Sequence, residues 1–335
     1  MRNKISLIIP ALSSNFYVED FLTNILYWKK LPNEIIIINI STKLHVNEFI
    51  VNKLKKKKVD LVIIKKRNLF PGAARNQGLL NAKYKYVLFL DMNTQPFDKN
   101  WLKINFEYMV RNNLDGLSGK TLYLADTFIE KIIRASTYGK AALQTIPGSI
   151  FKKEIILQVG KFNESSRAGE DTDWLKRLYK FNFKVRNSLE PIYYKGLYKT
   201  NFNFIIRKWF RNYYSSAALP HLNTQKNFYM LTLFFIFFTI VFNWNYSTLC
   251  FTSELCLKSY EESDSFFIPH ITKIFLMITL IIYTLFRGIY FPVKKRIRLK
   301  FLFPLNFIFV TIFSFILDLV KLLTFLFLFW LKIFR

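Results

Sequence analysis

An apolar run that stops at a carboxylate, Tyr86-Val87-Leu88-Phe89-Leu90-Asp91, is the clearest local indication of the fold of this chain. Short, continuously apolar runs are typical of buried parallel strands. Three further runs have the same character, namely Ile5–Ile9, Glu34–Ile38 and Val59–Ile64. Helix-like stretches lie between the runs, at Val18–Lys30 and Ala73–Ala82. This alternation predicts an α/β domain with an open, mostly parallel sheet.

Polar residues follow two of these runs at the points where the strands are predicted to end. Asn39 follows the run Glu34–Ile38, and Asp91 follows the run Tyr86–Leu90. Ligands of open α/β sheets bind at the carboxyl ends of the strands. We therefore treat Asn39 and Asp91 as candidate ligand contacts.

The segment Asp91-Met92-Asn93 places two oxygen-bearing side chains two residues apart. Two such groups can hold a divalent cation, Mn or Mg, that keeps several waters and also binds phosphate oxygens. An Asp-x-Asn sequence is also common in turns. Taken alone, the turn is the commoner role, so the sequence leaves both interpretations open.

A second candidate region is the start of a predicted helix, Phe70-Pro71-Gly72-Ala73-Ala74-Arg75-Asn76-Gln77-Gly78. Gly72 permits a tight entry, and Arg75 and Asn76 fall in the first helical turn. Backbone amides at a helix start, with an arginine beside them, suit a phosphate or a nucleotide base. In isolation the segment is also an ordinary capped helix.

An acidic cluster, Glu170-Asp171-Thr172-Asp173, stands out because the chain carries 49 Lys and Arg against 22 Asp and Glu, a formal net charge of +27. The cluster follows Gly169 and precedes an amphipathic run, so it is predicted to start a helix. Carboxylates at a helix start are favoured by the helix dipole. The alternative is a general base in a basic cleft that attracts an anionic substrate.

The composition changes near residue 225, after which Phe, Leu and Ile dominate. A membrane span needs about 20 largely apolar residues. Three runs, 227–246, 271–291 and 299–331, therefore predict a membrane tail over residues 226–335 with about three helices, the last too long for one upright span. The basic loop Val293–Lys300 predicts a cytoplasmic side. Counting back from this loop places the N-terminal domain in the cytoplasm.

Residues 201–225 mix aromatic and cationic side chains, as in Trp209 and Arg211. This mixture is typical of an amphipathic helix at the bilayer interface, although a core helix would also fit.

Within the last apolar run, Asp318 and Lys321 are three residues apart and can pair on one helix face. The basic run Lys53–Lys58 has no accompanying nucleic-acid motif, so we expect attraction to anionic lipid or to a membrane-bound phosphate, and no nucleic-acid partner.

Taken in this order, the motifs of residues 1–200 resemble the family 2 glycosyltransferases, inverting enzymes with the GT-A fold. The resemblance rests on Ile8-Ile9-Pro10, Gly72–Gly78, Phe89–Pro96, Trp101-Leu102, Pro147–Lys152, Gly160-Lys161-Phe162 and Glu170-Asp171 with Arg177. Each motif is weak alone, and the ordered set is specific. The resemblance implies an α/β GT-A domain followed by an α-helical membrane region.

The resemblance also implies roles for individual residues. Asp171, or Glu170 beside it, would deprotonate an acceptor hydroxyl that attacks the anomeric carbon in line with the departing nucleoside diphosphate. Gly148 and Arg177 would lie on the sugar or acceptor side. Contacts to the nucleotide-sugar donor are implied for Pro10, Asn39, Arg75, Asn76, Asp91 and Asn93, with Asp91 and Asn93 as ligands of Mn or Mg.

Two positions depart from the family pattern. Asn93 replaces the second aspartate of the usual metal motif, and Asn39 replaces the aspartate usually found after the second strand.

The resemblance and the apolar tail together predict a transferase of the bacterial inner membrane that serves cell-surface polysaccharide or glycolipid synthesis. Its acceptor would be a lipid-linked saccharide, a polyprenyl phosphate or a glycan. The alternative is a catalytically impaired, nucleotide-sugar-binding subunit of a glycan-assembly complex.

Overall fold

The computed structural model describes residues 3–11, 15–39, 46–197, 201–217, 219, 227, 231–238 and 270–333. The chain divides into two compact units. The first comprises Met1–Arg134 and Lys140–Asn223, and the second comprises Ala135–Gly139 and Thr224–Arg335. The domain boundaries expected from the sequence, at residues 200 and 225, stay predictions.

The first part of the chain alternates strands and helices, as the sequence predicts. Its elements are β1 (Ile5–Ala11), α1 (Asn15–Leu26), β2 (Glu34–Asn39), α2 (Glu48–Lys56), β3 (Asp60–Lys65), α3 (Pro71–Asn81), β4 (Tyr86–Phe89), β5 (Thr94–Pro96), α4 (Trp101–Arg111), β6 (Gly116–Tyr123), α5 (Phe128–Ser136), β7 (Leu143–Lys152), α6 (Lys153–Val159), α7 (Glu170–Leu178), β8 (Val185–Asn187), β9 (Ile192–Tyr194) and α8 (Phe202–Ala217).

The strands form one mixed sheet in the order β3-β2-β1-β4-β7-β6-β9-β5, with β8 paired to β6. The first four strands are parallel to one another. Strand β7 then runs antiparallel to both β4 and β6, whereas β6 is parallel to β8 and β9. All four strands predicted from apolar runs are present, which confirms the open, mostly parallel sheet. Strand β1 passes through Pro10 to Ala11, two residues beyond the predicted run Ile5–Ile9.

The apolar runs are continuous because both faces of the parallel strands are covered. Successive side chains of a strand point to opposite faces. In β1, Leu7 and Ile9 pack into one apolar cluster together with residues of α1, α2 and α4. Ile8 packs into a second cluster with residues of α3, α6 and α7. The sheet is therefore the middle of three layers.

The second unit contains the apolar helices. They are α9 (His270–Tyr283), which continues through a π-helical segment (Thr284–Tyr290) into α10 (Phe291–Lys294), then α11 (Leu299–Leu302) and α12 (Asn306–Ile333). Two stretches, Ile274–Lys294 and Asn306–Leu328, are long and apolar enough to cross a membrane. By length and composition, they suggest membrane association.

The predicted run 299–331 is divided by a turn at residues 303–305. Pro304 in this turn cannot donate the backbone hydrogen bond that a helix interior needs. The predicted helix at 227–246 lies mostly outside the described residues, of which 227 and 231–238 are helical.

A group of charged side chains joins α12 to the π-helical segment. Arg287 contacts Asp318 twice, from Nε to Oδ2 at 2.8 Å and from Nη2 to Oδ1 at 3.1 Å. Lys321 donates to Asp318 Oδ1 (3.0 Å), and the Tyr283 hydroxyl donates to Asp318 Oδ2 (2.9 Å). The pairing of Asp318 with Lys321 on one helix face is therefore confirmed. Arg287, the closer partner of Asp318, was not predicted.

Candidate active site

Three candidate residues lie at the carboxyl edge of the parallel strands. Asn39 is the last residue of β2, and its Cα pairs with those of Ala11 and Lys65. Pro10 pairs with Ile38 one step earlier in the register. Asp91 follows the end of β4 by two residues, so it emerges at the same edge. This is the edge at which ligands of open α/β sheets bind.

Helix α3 brings a charged side chain to this edge because its first turn packs very closely. A Cβ at Gly72 would lie 2.1 Å from the carbonyl oxygen of Asn163 and 3.3 Å from Cγ of Glu170. A Cβ at Gly78 would lie 2.3 Å from Cγ2 of Ile8. The small residues of the motif therefore allow α3 to lie against β1 and to place its start beside the start of α7.

Arg75 lies in the second turn of α3, not in the first as predicted, and bridges the two acidic regions of the sequence. Its Nη2 lies 2.9 Å from Asp91 Oδ1, and its Nη1 lies 2.7 Å from Glu170 Oε1. The arginine is only 2% exposed. Burial by itself would lower the pKa of Arg75, but the carboxylates of Asp91, Glu170 and Asp171 raise it well above its ordinary value. Arg75 therefore stays charged and holds the end of β4 to the start of α7.

The two adjacent carboxylates of α7 have different surroundings. Glu170 is 5% exposed and is paired with Arg75. Burial, and next the charge of Asp171, raise the pKa of Glu170 to about 7, against the opposing effect of Arg75. Asp171 is partly exposed, and its Oδ1 accepts the backbone N–H of Thr172 at 2.7 Å. Its Oδ2 has no hydrogen-bond partner within the described residues. Asp171 is thus the more accessible of the two to a substrate hydroxyl.

The turn after β4 is fixed by Thr94, a residue that the sequence did not single out. The backbone N–H of Asp91 donates to Thr94 Oγ1 (3.0 Å), which in turn donates to the carbonyl oxygen of Asp91 (2.7 Å). The Asp91 side chain is 39% exposed, and within the described part of the chain its Oδ1 is bound by Arg75 while its Oδ2 has no partner. Asn93 is partly buried in the same turn. The turn is therefore present, and the cation site at Asp91 and Asn93 stays a prediction.

The side-chain oxygens of Asp91 and Asn93 fit a cation that is held mostly by the substrate. Asp91 has one unengaged carboxylate oxygen, and Asn93 adds an amide oxygen. Among the described residues, no group of three or more His, Cys, Asp and Glu side chains could form a metal cage. Mg²⁺ in phosphate-transfer sites is commonly bound by one or two carboxylates together with phosphates and water. The arrangement is compatible with that mode of binding.

Asn76 and Arg177 both bind the loop that leads to α7. The Asn76 amide donates to the Phe162 carbonyl (2.9 Å) and to Glu164 Oε1 (2.8 Å), and its Oδ1 accepts the Phe162 N–H (3.0 Å). Arg177 donates to the carbonyls of Val159 (2.9 Å) and Lys161 (2.7 Å). The described contacts give both residues a positioning role, and their contact with substrate stays a prediction.

Gly148 lies inside β7 with a φ of +84°, in the left-handed region that favours glycine. The register of β6 against β7 shifts between Leu117 and Gly119, and a Cβ at Gly119 would lie 2.2 Å from the Pro147 carbonyl oxygen. Gly148 therefore permits an irregularity in this strand pair. Its predicted place on the sugar side is not tested by these contacts.

Residues 6–153 match the family model described as glycosyl transferase family 2. The matched region includes Arg75, Asp91 and Gly148. It ends before Glu170 and Asp171, so the acidic pair is identified by its contact with Arg75.

Two curated relatives and one solved structure illustrate the similarity. An uncharacterized glycosyltransferase of Rickettsia bellii is 27% identical over 176 residues, covering 50% of this chain and 25% of that protein. The poly-beta-1,6-N-acetyl-D-glucosamine synthase of Staphylococcus epidermidis is 25% identical over 285 residues, covering 76% of this chain and 66% of that protein. The crystal structure of S. aureus TarS 1-349 in complex with UDP-GlcNAc has a TM-score of 0.43 and 17% identity, over 65% of this chain and 67% of that chain.

The chain thus spans only part of the length of these curated relatives. The α/β fold of the GT-A class, expected from the resemblance, is confirmed by the mixed sheet and the family match. Residues 6–153 of this chain form a family 2 glycosyltransferase domain.

Proposed function

We propose that this chain is a membrane-anchored, inverting glycosyltransferase that moves a sugar from a nucleotide-sugar to a lipid-linked or glycan acceptor. The observation that carries the proposal is the bridge made by Arg75. It joins Asp91, at the edge where the donor would bind, to Glu170, and it leaves the neighbouring Asp171 accessible. A donor site and a base therefore meet in one place.

Asp171 acts as the general base in the proposed reaction. Its unengaged Oδ2 takes the proton of the acceptor hydroxyl, and the acceptor oxygen forms a bond to the anomeric carbon. The bond from that carbon to the nucleoside diphosphate breaks on the opposite face, so the configuration inverts. Glu170 is a poorer candidate because its carboxylate is buried against Arg75.

Asp91 and Asn93 would hold a divalent cation, with the diphosphate of the donor completing its coordination. Such a cation, when bound, neutralises the negative charge that develops on the leaving diphosphate. Arg75 supports this site by fixing the Asp91 side chain through Oδ1, and Oδ2 has no hydrogen-bond partner among the described residues. Asn39 and Pro10 would contact the nucleotide from the ends of β2 and β1.

The relative from S. epidermidis supports a role in polysaccharide synthesis and makes an N-acetylglucosamine donor the first to test. The two apolar helices and the basic loop at residues 293–300 support an inner-membrane location with a cytoplasmic catalytic domain. The aromatic and basic side chains of α8 support contact with the bilayer surface.

The proposal can be tested by thermal stabilisation and donor turnover with the detergent-purified full chain. UDP, UDP-N-acetylglucosamine, GDP, CMP and dTDP are each added with and without Mn²⁺. A ligand at a hundredfold excess over its Kd stabilises the folded state by about 2.7 kcal/mol. We expect one nucleotide to give a clear shift that Asp91→Ala removes and Asp171→Asn keeps.

Asp171→Asn is further expected to lower sugar transfer by about 10²–10⁴-fold, the usual contribution of a general base. Equal loss of donor binding in Asp171→Asn would contradict its role as the base. A second candidate function, donor binding without transfer, is favoured by Asn93 in place of a carboxylate. Nucleotide stabilisation without any donor turnover would select that function.

A further inference from the structure

Helix α8 is hydrogen-bonded to the loop that enters α7. The hydroxyls of Ser166 and Ser215 are 3.1 Å apart, and Ser166 Oγ also donates to the Ala168 carbonyl at 2.7 Å. The backbone N–H of Arg167 donates to Ser215 Oγ at 2.6 Å. Ser166 is buried at this contact. The last turn of α8 thus holds the loop that lies just before the proposed base, Asp171.

These hydrogen bonds place the backbone of Arg167 beside the last turn of α8, one turn beyond Arg211. Arg167 is anchored through its backbone to Ser215, and Arg211 lies one helical turn before Ser215 on the same face of α8. Neither arginine has a carboxylate partner within the described part of the chain. Burial, and next the charge of Arg167, lower the pKa of Arg211 below its ordinary value. Arg211 is exposed and Arg167 is partly exposed, so both guanidinium groups are open to a ligand.

We propose that Arg167 and Arg211 form a phosphate-binding site for the acceptor, adjacent to Asp171. This inference rests on the proposed function and names the chemical class of its acceptor. Guanidinium groups bind phosphate oxygens with paired, charge-assisted hydrogen bonds. A bound phosphate also removes the repulsion between the two arginines.

The position of the pair favours the acceptor over the donor. Arg167 lies four residues before Asp171 in the loop that enters α7, so a phosphate held here would lie on the α7 side of the site. The carboxyl edge assigned to the donor diphosphate is organised by a different arginine, Arg75. The shared chemistry is a phosphate ester on a lipid, either a prenyl phosphate acceptor or a phospholipid headgroup.

The test uses the full chain in detergent with farnesyl phosphate as the probe and farnesol as the probe without phosphate. The variant is Arg167→Gln/Arg211→Gln. The control is Arg186→Gln, since Arg186 is an exposed arginine in β8 without an ion pair among the described residues. Calorimetry measures the Kd of each probe and of UDP. A hydrogen bond to a charged group contributes about 1.5–3 kcal/mol, so we expect the Kd of farnesyl phosphate to rise about tenfold or more in the double variant.

The Kd of farnesyl phosphate should stay unchanged in the control Arg186→Gln, and the Kd of UDP should stay unchanged in the double variant. Sedimentation with phosphatidylglycerol or phosphatidylcholine vesicles separates the two sources. Loss of phosphatidylglycerol binding in the double variant would overturn the acceptor role and assign the site to headgroups, whereas a loss confined to farnesyl phosphate assigns it to the acceptor. The proposal is overturned if farnesol binds as tightly as farnesyl phosphate. It is also overturned if the double variant retains full affinity for farnesyl phosphate and for phosphatidylglycerol vesicles, or if it loses affinity for UDP instead. Donor turnover by the wild type is independent of these results, so the two proposals fail separately.

Discussion

The pKa of Glu170 is set by opposing effects of burial and of the charge of Arg75. Burial, and next the charge of Asp171, raise its pKa from 4.5 to about 7 in the folded chain. Between these values the folded state binds a proton more tightly than the unfolded state does. The resulting stabilisation is complete below pH 4.5 and is lost as the pH rises to about 7.

Glu170→Gln should therefore change the pH dependence of stability, because glutamine cannot ionise. The melting temperature of the variant minus that of the wild type is expected to rise as the pH increases from 4.5 to about 7. Thermal denaturation of the full chain in detergent across this range measures the difference. Leu157→Ala, an exposed substitution that does not titrate, should give a profile parallel to that of the wild type. A parallel profile for Glu170→Gln would show that the pKa of Glu170 is not raised.

The individual site residues differ in how far the sequence could predict them. Asp91 and Asn39 were found because a polar residue after an apolar strand reaches the ligand edge whatever the rest of the fold does. The partner of Arg75 could not be found in this way, because Glu170 lies 95 residues further along the chain. Thr94 was missed because a hydroxyl that closes its own turn gives no distinctive spacing.

At the scale of elements, predictability followed burial. The parallel strands β1, β2 and β4 are buried on both faces and so have nearly continuous apolar sequences, whereas the edge strand β3 is only partly buried. Strands β5, β8 and β9 have three residues each, too few for a periodic pattern to be recognised. Their places depend on pairing with distant strands, such as Thr94 with Tyr194.

The close approach of α3 to β1 gives a prediction about packing. Gly78→Ala would place a Cβ 2.3 Å from Cγ2 of the fully buried Ile8. Overpacking of this kind costs about 1–3 kcal/mol, against a gain of about 1 kcal/mol from the helix propensity of alanine. We therefore expect a net loss of stability in thermal denaturation of the full chain. Leu80→Ala, at an exposed position of the same helix, should have little effect.

A second substitution tests whether the contact with Ile8 is the cause of that loss. In Ile8→Ala the opposing methyl groups are absent, so adding Gly78→Ala should cost less than it does in the wild type. Additive losses would mean that the strain of Gly78→Ala arises elsewhere in α3.

The pairing of α12 with the π-helical segment depends on one carboxylate. Asp318→Asn removes the negative charge that Arg287 and Lys321 share. Breaking a buried ion pair costs about 3–5 kcal/mol, so a clear fall in melting temperature is expected. Lys321→Gln should have a smaller effect, since both contacts between Arg287 and Asp318 remain. Equal effects of the two substitutions would mean that Arg287 contributes little.

The charge of the whole molecule is less informative than its distribution. Much of the net charge of +27 is spread over exposed lysines, and such charges do not determine a fold. The local concentration at residues 293–300, between two apolar helices, carries the topological information. Two of the three predicted tail helices fall in the described residues. For the last of them the sequence predicted only that the run is too long for one upright span, and not that a turn at Pro304 divides it.

The cytoplasmic side of this loop can be tested with single cysteines, after Cys250 and Cys256 are replaced by serine. Arg298→Cys lies at an exposed position of the loop, and Arg111→Cys lies at an exposed end of α4 in the first unit. Positive charges near apolar helices favour the cytoplasmic side. A membrane-impermeant maleimide should therefore label both cysteines in inverted vesicles and neither in intact spheroplasts. Labelling of Arg298→Cys in spheroplasts would reverse the proposed topology, whereas labelling of Arg111→Cys alone would separate the location of the first unit from that of the loop.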